Sequence, residues 1–174
     1  MTLEERLVLN PQETLLLVVD IQKDFLEAQQ GFTFFDAGAD ISLMKAMVSE
    51  HLIQLIERSF TEGVNVAYVK SNYPEGKFPF PYDKLCSKPP GTDFYLIDKI
   101  GGFERQVKIF SKSDHDPFAN PDLRKYIEKN CIQNLVVAGV TITSCIFETV
   151  KSAVQIPGLM VIVPEDCVSY RKEK

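Results

Sequence analysis

Three side chains able to do nucleophilic and acid–base chemistry follow apolar runs of the chain. Asp20 ends the first run, Lys112 follows the third, and Cys145 lies shortly beyond the fourth. A cysteine attacks a carbonyl carbon as its thiolate, and a nearby carboxylate can take the thiol proton and deliver it to a leaving group. An ammonium beside the sulfur favours the thiolate. These residue types predict covalent catalysis by a Cys/Lys/Asp triad without histidine.

The elements that must position these residues alternate between strand and helix, which is typical of a parallel sheet covered by crossover helices. Strands are predicted over Thr14–Asp20, Val64–Lys70, Gln106–Phe110, Asn134–Gly139 and Leu159–Val163. Helices are predicted over Ile41–Phe60 with Gly63 just past its end, from Asn120–Pro121 to about Asn130, and over Thr143–Val154. A long Pro/Gly-rich segment from Asn72 to Gly102 is predicted as a loop. Ligands of such sheets bind outside the carboxyl ends of the strands, so the triad is expected at one edge.

Cys145 lies about one turn into the last predicted helix, where backbone N–H groups and the positive end of the helix dipole favour a thiolate. The alternative for this residue is a small buried side chain without reactivity. Asp20 could instead bond the turn after its strand. Lys112 has a rival in Lys108, which lies in the third predicted strand.

Composition excludes several classes of protein. The chain has 174 residues, a net charge of -5 and no basic block, so we expect one domain over residues 1–174 and no nucleic-acid partner. No apolar run reaches the roughly 20 residues of a membrane helix, and the start does not resemble a signal peptide, so we predict a cytoplasmic protein without a membrane partner. The four cysteines show no metal-binding or disulfide spacing, and two histidines are too few for a zinc centre of clustered imidazoles.

Three ordered segments together resemble the isochorismatase-like cysteine hydrolase superfamily. They are Asp20-Ile-Gln22-Lys-Asp24-Phe25, Lys112-Ser-Asp-His-Asp-Pro-Phe118 and Gly139-Val140-Thr141-Ile-Thr-Ser-Cys145. The later segment from Val163 to Ser169 is similar to the closing strand and turn of that family. The resemblance extends from about Thr14 to the end of the chain.

The resemblance implies a three-layer α/β/α, Rossmann-like fold, whose open, mostly parallel sheet has five to six strands. It implies a catalytic triad of Asp20, Lys112 and Cys145. It also implies a cis peptide between Val140 and Thr141, which would aim the backbone N–H groups of Thr141 and Cys145 into an oxyanion hole. A homo-oligomer, either a dimer or a tetramer, and a small-molecule substrate are expected, with no cofactor.

Departures from the family pattern narrow the activity. Metal-dependent nicotinamidases of the superfamily carry Asp-x-His and a further His after the second strand, whereas this chain has Ser71-Asn-Tyr-Pro-Glu-Gly76, so no metal site is predicted. Isochorismatases that open a vinyl ether commonly lack the cysteine, so Cys145 favours acyl transfer. Ile142 stands where the family usually has a threonine. The chain stops soon after Ser169, where the family normally continues, so a truncated C-terminal end is expected.

Candidate substrate-binding residues are Gln22, Phe25, Asn72 and Phe118. Gln22 and Asp24 could instead support the site or bond a local turn, and His115 is interpreted as a polar loop residue, with substrate contact as the alternative. The aromatic side chains of Tyr73, Phe78, Phe80 and Tyr82 could wall the substrate or simply pack. Cys86, Cys131 and Cys167 are assigned to packing.

The sequence favours a metal-independent hydrolase of a small amide or carbamoyl compound. One alternative is an isochorismatase-type vinyl-ether hydrolase that uses Asp20 and Lys112 while Cys145 is incidental. The other is a catalytically silent, ligand-binding member of the superfamily.

Overall fold

A five-stranded parallel sheet forms the centre of the fold in the computed structural model, which describes residues 8–27, 41–80, 82–95 and 107–169. Its strands are β1 (Thr14–Val19), β2 (Asn65–Ser71), β3 (Lys108–Lys112), β4 (Asn134–Gly139) and β5 (Met160–Ile162). Their order across the sheet is β3-β2-β1-β4-β5, and every pairing is parallel. The predicted α/β class is therefore confirmed.

The central strands are buried on both faces of the sheet. All six residues of β1 and all six of β4 are buried, as expected where helices cover both sides of a parallel sheet. Alternate β1 residues enter two separate hydrophobic clusters, Leu16 and Val18 in one and Leu15, Leu17 and Val19 in the other. Because successive side chains of a strand point to opposite faces of the sheet, β1 contributes to the hydrophobic cores on both sides of this three-layer fold.

The described helices cover the sheet between the strands. They are α1 (Lys23–Leu26), α2 (Ile41–Met47), α3 (Ile53–Thr61), α4 (Pro121–Lys129) and α5 (Phe147–Ala153). A π-helical turn, Val48–Leu52, joins α2 to α3, and a second one, Ile142–Ile146, precedes α5. None of these helices is long and apolar enough to cross a membrane.

The helix ends follow the predicted capping residues. Gly63 adopts a φ of +76° just past α3, and the N–H of Val64 donates to the carbonyl of Ser59. The Asn120 side chain accepts a hydrogen bond from the N–H of Asp122 at the start of α4, with Pro121 as its first residue. Both ends therefore use the residues that the sequence suggested.

The predicted third strand is displaced along the chain. It was expected over Gln106–Phe110, whereas β3 runs over Lys108–Lys112, and Gln106 lies outside the described residues. Pairing with β2 continues to the Ser71–Lys112 pair, because β2 extends to Ser71. Lys112 is thereby a residue of the strand itself, and its side chain is fixed by the sheet.

The long segment after β2 is ordered in its described parts, residues 72–80 and 82–95, and packs against the chain just after β1. Backbone hydrogen bonds run from Lys23 to Asp93 and from Asp24 to Gly91, and Gln22 forms an isolated antiparallel bridge with Phe94. This part of the predicted loop therefore forms one wall at the carboxyl edge of the sheet.

Candidate active site

Asp20, Lys112 and Cys145 meet at the carboxyl edge of the sheet. The Nζ atom of Lys112 lies 2.9 Å from Oδ2 of Asp20 and 3.1 Å from Sγ of Cys145. The side chains of Asp20 and Lys112 are fully buried, and Cys145 is 3% exposed. A carboxylate, an ammonium and a thiol therefore share one enclosed space, as the sequence predicted. Lys108, the rival of Lys112, is exposed and lies over the ring of Phe110.

Each of the three residues is positioned by the end of a strand. Asp20 follows β1 with a φ of +57°, an unusual conformation for a residue with a side chain that aspartate tolerates better than most. Lys112 is the last residue of β3. Cys145 lies in the π-helical turn after β4, and β4 pairs with β1 along its whole length. Strands of one parallel sheet thus bring together at their carboxyl ends residues that lie up to 125 positions apart in the chain.

Ser71 and Tyr73 complete the polar centre, and the sequence analysis did not assign them there. Ser71 Oγ donates to Asp20 Oδ1 at 2.8 Å and lies 3.0 Å from Tyr73 Oη. The ammonium of Lys112 donates to Tyr73 Oη at 3.3 Å, and that oxygen is 3.8 Å from the sulfur of Cys145. Tyr73 was interpreted only as an apolar wall. Their spacing of two, directly after the apolar run of the second strand, was the signal that could have found the pair, because it places two side chains on one face of an extended chain.

The pKa of the Cys145 thiol differs from the sequence-based expectation. Burial, together with the neighbouring Asp20 carboxylate, raises this pKa to about 12, although Lys112 lowers it. A thiolate favoured by the helix end and the ammonium was expected, and that expectation is wrong for the free protein. The buried carboxylate outweighs the help of the lysine, so the sulfur holds its proton at neutral pH.

The charges of the remaining groups follow from the same burial. Burial alone would lower the pKa of Lys112, but the charge of Asp20 and the contacts with Cys145 and Tyr73 raise it above its ordinary value. Burial raises the pKa of the Tyr73 phenol strongly. Lys112 is therefore an ammonium and Tyr73 a neutral hydroxyl at neutral pH. The resting centre contains one ion pair beside a neutral thiol.

The backbone next to Cys145 makes a tight turn. The Val140–Thr141 peptide is cis, and Gly139 has a φ of +123°. A Cβ at position 139 would lie 2.1 Å from the carbonyl oxygen of Val19, so the close approach of β4 to β1 requires glycine. Thr141 begins the turn that carries Cys145. The oxyanion-binding role of the Thr141 and Cys145 N–H groups stays a prediction.

Gln22 and Asp24 hold the wall of the site. The Gln22 amide donates to the carbonyls of Ser71 and Thr92 and accepts from the N–H of Ser71, and the side chain is completely buried. Asp24 accepts from the N–H of Cys86 at 2.6 Å, and burial raises its pKa. Gln22 was a candidate for substrate binding, but its polar atoms are taken up by backbone groups, so we assign it to positioning.

The other candidate substrate-binding residues occupy different environments. Phe25 is 4% exposed and belongs to a hydrophobic core cluster, so packing accounts for its surface. Phe118 is half-buried and packs against the opposite cluster. Asn72 is exposed at the end of β2, and its N–H donates to the carbonyl of Lys112. Of the three, Asn72 alone leaves its side chain exposed to a ligand.

His115 lies at the sulfur rather than in a remote loop. Its Nδ1 is 3.7 Å from Cys145 Sγ and 3.1 Å from Ser144 Oγ. His115 is not a member of the predicted triad, and it contacts the sulfur because the chain between β3 and α4 folds back over the thiol. His115 follows Lys112 by three residues in the sequence, and this spacing gave no indication of a contact with Cys145.

The remaining cysteines form no disulfide, and Cys86 adjoins the site through its N–H, which donates to Asp24. Cys86 and Cys167 are buried, and Cys131 is exposed. Within residues 8–27, 41–80, 82–95 and 107–169, no three His, Cys, Asp or Glu side chains are grouped so that they could hold a metal ion. At the positions where metal-dependent relatives are expected to carry ligands, Ser71 and Tyr73 bond the ion pair and each other.

Comparison with known proteins identifies relatives of this chain. The model of the family described as "Isochorismatase domain" matches residues 14–174. The ureidoacrylate amidohydrolase RutB of Acinetobacter baylyi is 25% identical over a match 185 residues long, gaps in this chain included. The match covers 94% of this chain and 74% of that protein. The streptothricin hydrolase of Streptomyces noursei is 27% identical over 151 residues, covering 87% of this chain and 48% of that protein.

Among solved structures, a cysteine hydrolase from Pseudomonas syringae pv. phaseolicola 1448A has the same fold, with a TM-score of 0.77 at 19% identity. The match covers 97% of this chain and 78% of that one.

Proposed function

The chain belongs to the isochorismatase family of hydrolases, and on that premise we propose that it cleaves the C–N bond of a small amide or carbamoyl compound through a thioester on Cys145. One observation carries the proposal. The ammonium of Lys112 lies within 3.1 Å of both the Asp20 carboxylate and the Cys145 sulfur. The side chains of Asp20 and Lys112 are closed to solvent.

Acylation begins with the neutral thiol. As the sulfur attacks the substrate carbonyl carbon, the thiol proton passes to Asp20 and a C–S bond forms. The same carboxyl then returns that proton to the amine nitrogen as the C–N bond breaks. The thioester is next hydrolysed by water, which restores the thiol.

The raised pKa of Cys145 fits a proton transfer that accompanies the attack rather than a preformed thiolate. A thiolate in the free protein would place a second negative charge beside Asp20, and burial makes such a charge costly. As the C–S bond forms, the proton neutralises the Asp20 carboxylate and the negative charge passes through the sulfur to the substrate oxygen. The net charge of the three residues and the bound substrate together is then unchanged during the step.

The oxyanion of the tetrahedral intermediate needs its own donors. We propose the backbone N–H groups of Thr141 and Cys145, which belong to the turn that carries the sulfur. A single donor of this kind is worth about 3 kcal/mol of transition-state stabilisation. Lys112 contributes positive charge beside the sulfur.

The relatives support amide-type chemistry at this coarse level. One is named as an amidohydrolase of ureidoacrylate and the other as a hydrolase of streptothricin. Their shared reaction class, rather than either substrate, is what we carry to this chain. The substrate is a small molecule with an amide, ureido or carbamoyl carbonyl that can reach Cys145.

The test is a turnover screen with purified protein. The panel contains primary amides, N-carbamoyl amino acids, ureido acids and isochorismate, and ammonia or amine release is measured alongside loss of substrate. We expect turnover of an amide or carbamoyl compound that Cys145→Ala, Asp20→Asn and Lys112→Met each reduce by several orders of magnitude. Cys131→Ala, which removes an exposed cysteine away from the site, should keep the wild-type rate.

Other outcomes select the alternatives. Turnover of isochorismate that survives Cys145→Ser would contradict the thioester and favour vinyl-ether hydrolysis. Binding of panel compounds without turnover of any of them would identify a ligand-binding protein instead. Undiminished amide hydrolysis by Cys145→Ala would also overturn the proposal.

A further inference from the structure

The sulfur of Cys145 has a further titratable neighbour in His115, which is not a member of the ion pair. His115 Nδ1 lies 3.7 Å from Sγ, whereas the side chains of Asp20 and Lys112 are completely buried. His115 itself is only half-buried. The imidazole is therefore more accessible to solvent than the carboxylate and the ammonium, which are completely enclosed.

The ring of His115 is held in place by its neighbours. Phe78 stacks on it with ring centres 5.6 Å apart and an angle of 28°, and Tyr73 meets it at 6.1 Å and 66°. Ser144 Oγ lies 3.1 Å from Nδ1. The backbone N–H of His115 donates to the Asp114 carboxylate, and the Asp114 carbonyl accepts from Lys112. These contacts orient Nδ1 toward the sulfur and tie the loop to the triad.

The surroundings keep the imidazole neutral at neutral pH. Burial lowers its pKa below the ordinary value, and the charge of Lys112 lowers it further, with a smaller effect from Lys77. Asp114 and Asp20 act in the opposite direction without reversing the shift. The sulfur and the Tyr73 ring also face the imidazole and are uncharged in the resting protein. A neutral imidazole has one unprotonated ring nitrogen, which can accept a proton.

We propose that His115 is a catalytic residue of the second half-reaction, in which Nδ1 takes a proton from the water that hydrolyses the Cys145 thioester. This inference rests on the proposed function, because it requires an acyl group on Cys145. The different burial of Asp20 and His115 assigns them to different half-reactions. Asp20 is completely enclosed and serves acylation, whereas the half-buried His115 is the basic group beside the sulfur that is more accessible to entering water.

The proposed step balances as follows. The water oxygen forms a C–O bond with the thioester carbonyl carbon while Nδ1 of His115 takes one water proton. The C–S bond then breaks, the sulfur leaves as a thiolate beside Lys112, and the imidazolium returns the proton to it. The product is a carboxylic acid, or a carbamic acid from a carbamoyl substrate, and the protein is restored with a neutral thiol.

The experiment measures deacylation separately from acylation. Wild-type protein is acetylated with p-nitrophenyl acetate, the reagent is removed by rapid desalting, and loss of the acetyl group from Cys145 is followed by mass spectrometry. We expect His115→Gln to acquire the acetyl group normally and to lose it about 100-fold more slowly, within the range of general base catalysis. His51→Gln is the matched control, because His51 is the other histidine and lies at the surface, with Nδ1 3.8 Å from the Asp166 carboxylate.

Two further readouts separate a catalytic role from a structural one. Hydroxylamine, unlike water, attacks thioesters without the help of a base. It should therefore release acetyl hydroxamate from His115→Gln at nearly the wild-type rate. In the wild type, deacylation should slow as the pH falls through a pKa below 6.5, because protonated imidazole accepts no proton. That limb should be absent from His115→Gln and also from His115→Asn, a second variant that guards against a folding defect.

The outcomes distinguish this inference from the function on which it rests. Equal deacylation rates in wild type and His115→Gln would overturn the role of His115 and leave the thioester mechanism standing. Slow release that hydroxylamine fails to accelerate would also overturn it, because the acyl group would then be misplaced. Failure of wild-type protein to form any adduct on Cys145 would contradict the proposed function itself.

Discussion

The Nζ atom of Lys112 lies 2.9 Å from Oδ2 of Asp20, with both side chains completely shielded from solvent. Such a pair is retained at a cost, because both charges must leave water and only their mutual attraction and additional hydrogen bonds offset the loss. Here Ser71 bonds the carboxylate, and Tyr73 and the Asp114 carbonyl bond the ammonium. The polar centre is thus supported on both sides of the ion pair before any substrate arrives.

Removal of one member of the pair should destabilise the protein strongly. Lys112→Met leaves the Asp20 charge buried without its cation, for which we expect a loss of about 3–5 kcal/mol in the free energy of unfolding. The double variant Asp20→Asn/Lys112→Met should recover most of that loss while remaining inactive. Urea denaturation measures both, with the exposed Lys108→Met expected to stay within about 0.5 kcal/mol of wild type. A double variant as unstable as Lys112→Met would argue against charge burial as the cause.

Tyr73→Phe should slow the reaction without unfolding the protein. The substitution removes the hydroxyl that accepts from Lys112 and contacts Ser71, and a hydrogen bond of this kind is worth about 1 kcal/mol. We expect a fall of about five- to tenfold in kcat, measured on the substrate found by the screen. Tyr126→Phe on α4, whose ring contacts Phe110, is the matched control and should be near wild type. Unchanged kcat in Tyr73→Phe would show that its hydroxyl does not tune the ammonium.

Alkylation of Cys145 by iodoacetamide should depend on pH in an unusual way. Because the thiol pKa is raised to about 12, the rate should keep rising with pH beyond about 8.5, where an ordinary thiol levels off. Asp20→Asn removes a charge that raises this pKa, so the variant should be alkylated faster at pH 8 although it cannot hydrolyse substrate. Mass spectrometry of the Cys145 peptide follows both rates. A wild-type rate that levels off near pH 8.5 would refute the buried neutral thiol.

Gly139→Ala tests the close approach of β4 to β1. The new Cβ would lie 2.1 Å from the Val19 carbonyl oxygen at a φ of +123°, so the turn leading to Cys145 must shift. We expect loss of activity and a fall of more than about 3 kcal/mol in stability. Gly76→Ala also adds a Cβ at positive φ, but nothing lies within 4 Å of it, so it should cost about 1–2 kcal/mol. Similar losses in the two variants would mean that strain in φ alone, rather than crowding, sets the cost.

Much of the fold could be predicted from the sequence because its signals are local. The apolar run of β1 and the caps Gly63 and Asn120 act through neighbouring residues. The shift of β3 could not be predicted in this way, since it depends on how far β2 extends and pairs with it. Strand register is a property of two segments, whereas hydrophobic pattern is a property of one.

The site shows the same difference between residues found from local sequence signals and contacts that depend on distant segments. Asp20, Lys112 and Cys145 follow recognisable segments, and the structure brings them within bonding distance. The contact of His115 with the sulfur and the link from Tyr73 to Lys112 arise only when loops fold over the sheet edge. The raised pKa of Cys145 likewise depends on burial, which residue types near a helix end do not reveal. Oligomeric state and cytoplasmic location stay predictions, which sedimentation and cell fractionation can test.

The central claim is that hydrolysis passes through a covalent bond to Cys145, and rapid acid quench followed by mass spectrometry tests it most directly. The substrate found by the screen is mixed with protein and quenched during steady-state turnover. We predict a mass increase equal to the substrate acyl group, located on Cys145, absent from Cys145→Ala and removed by hydroxylamine. Full turnover with no acyl group on Cys145 at any time, or an adduct on another residue that turns over at the steady-state rate, would contradict the account.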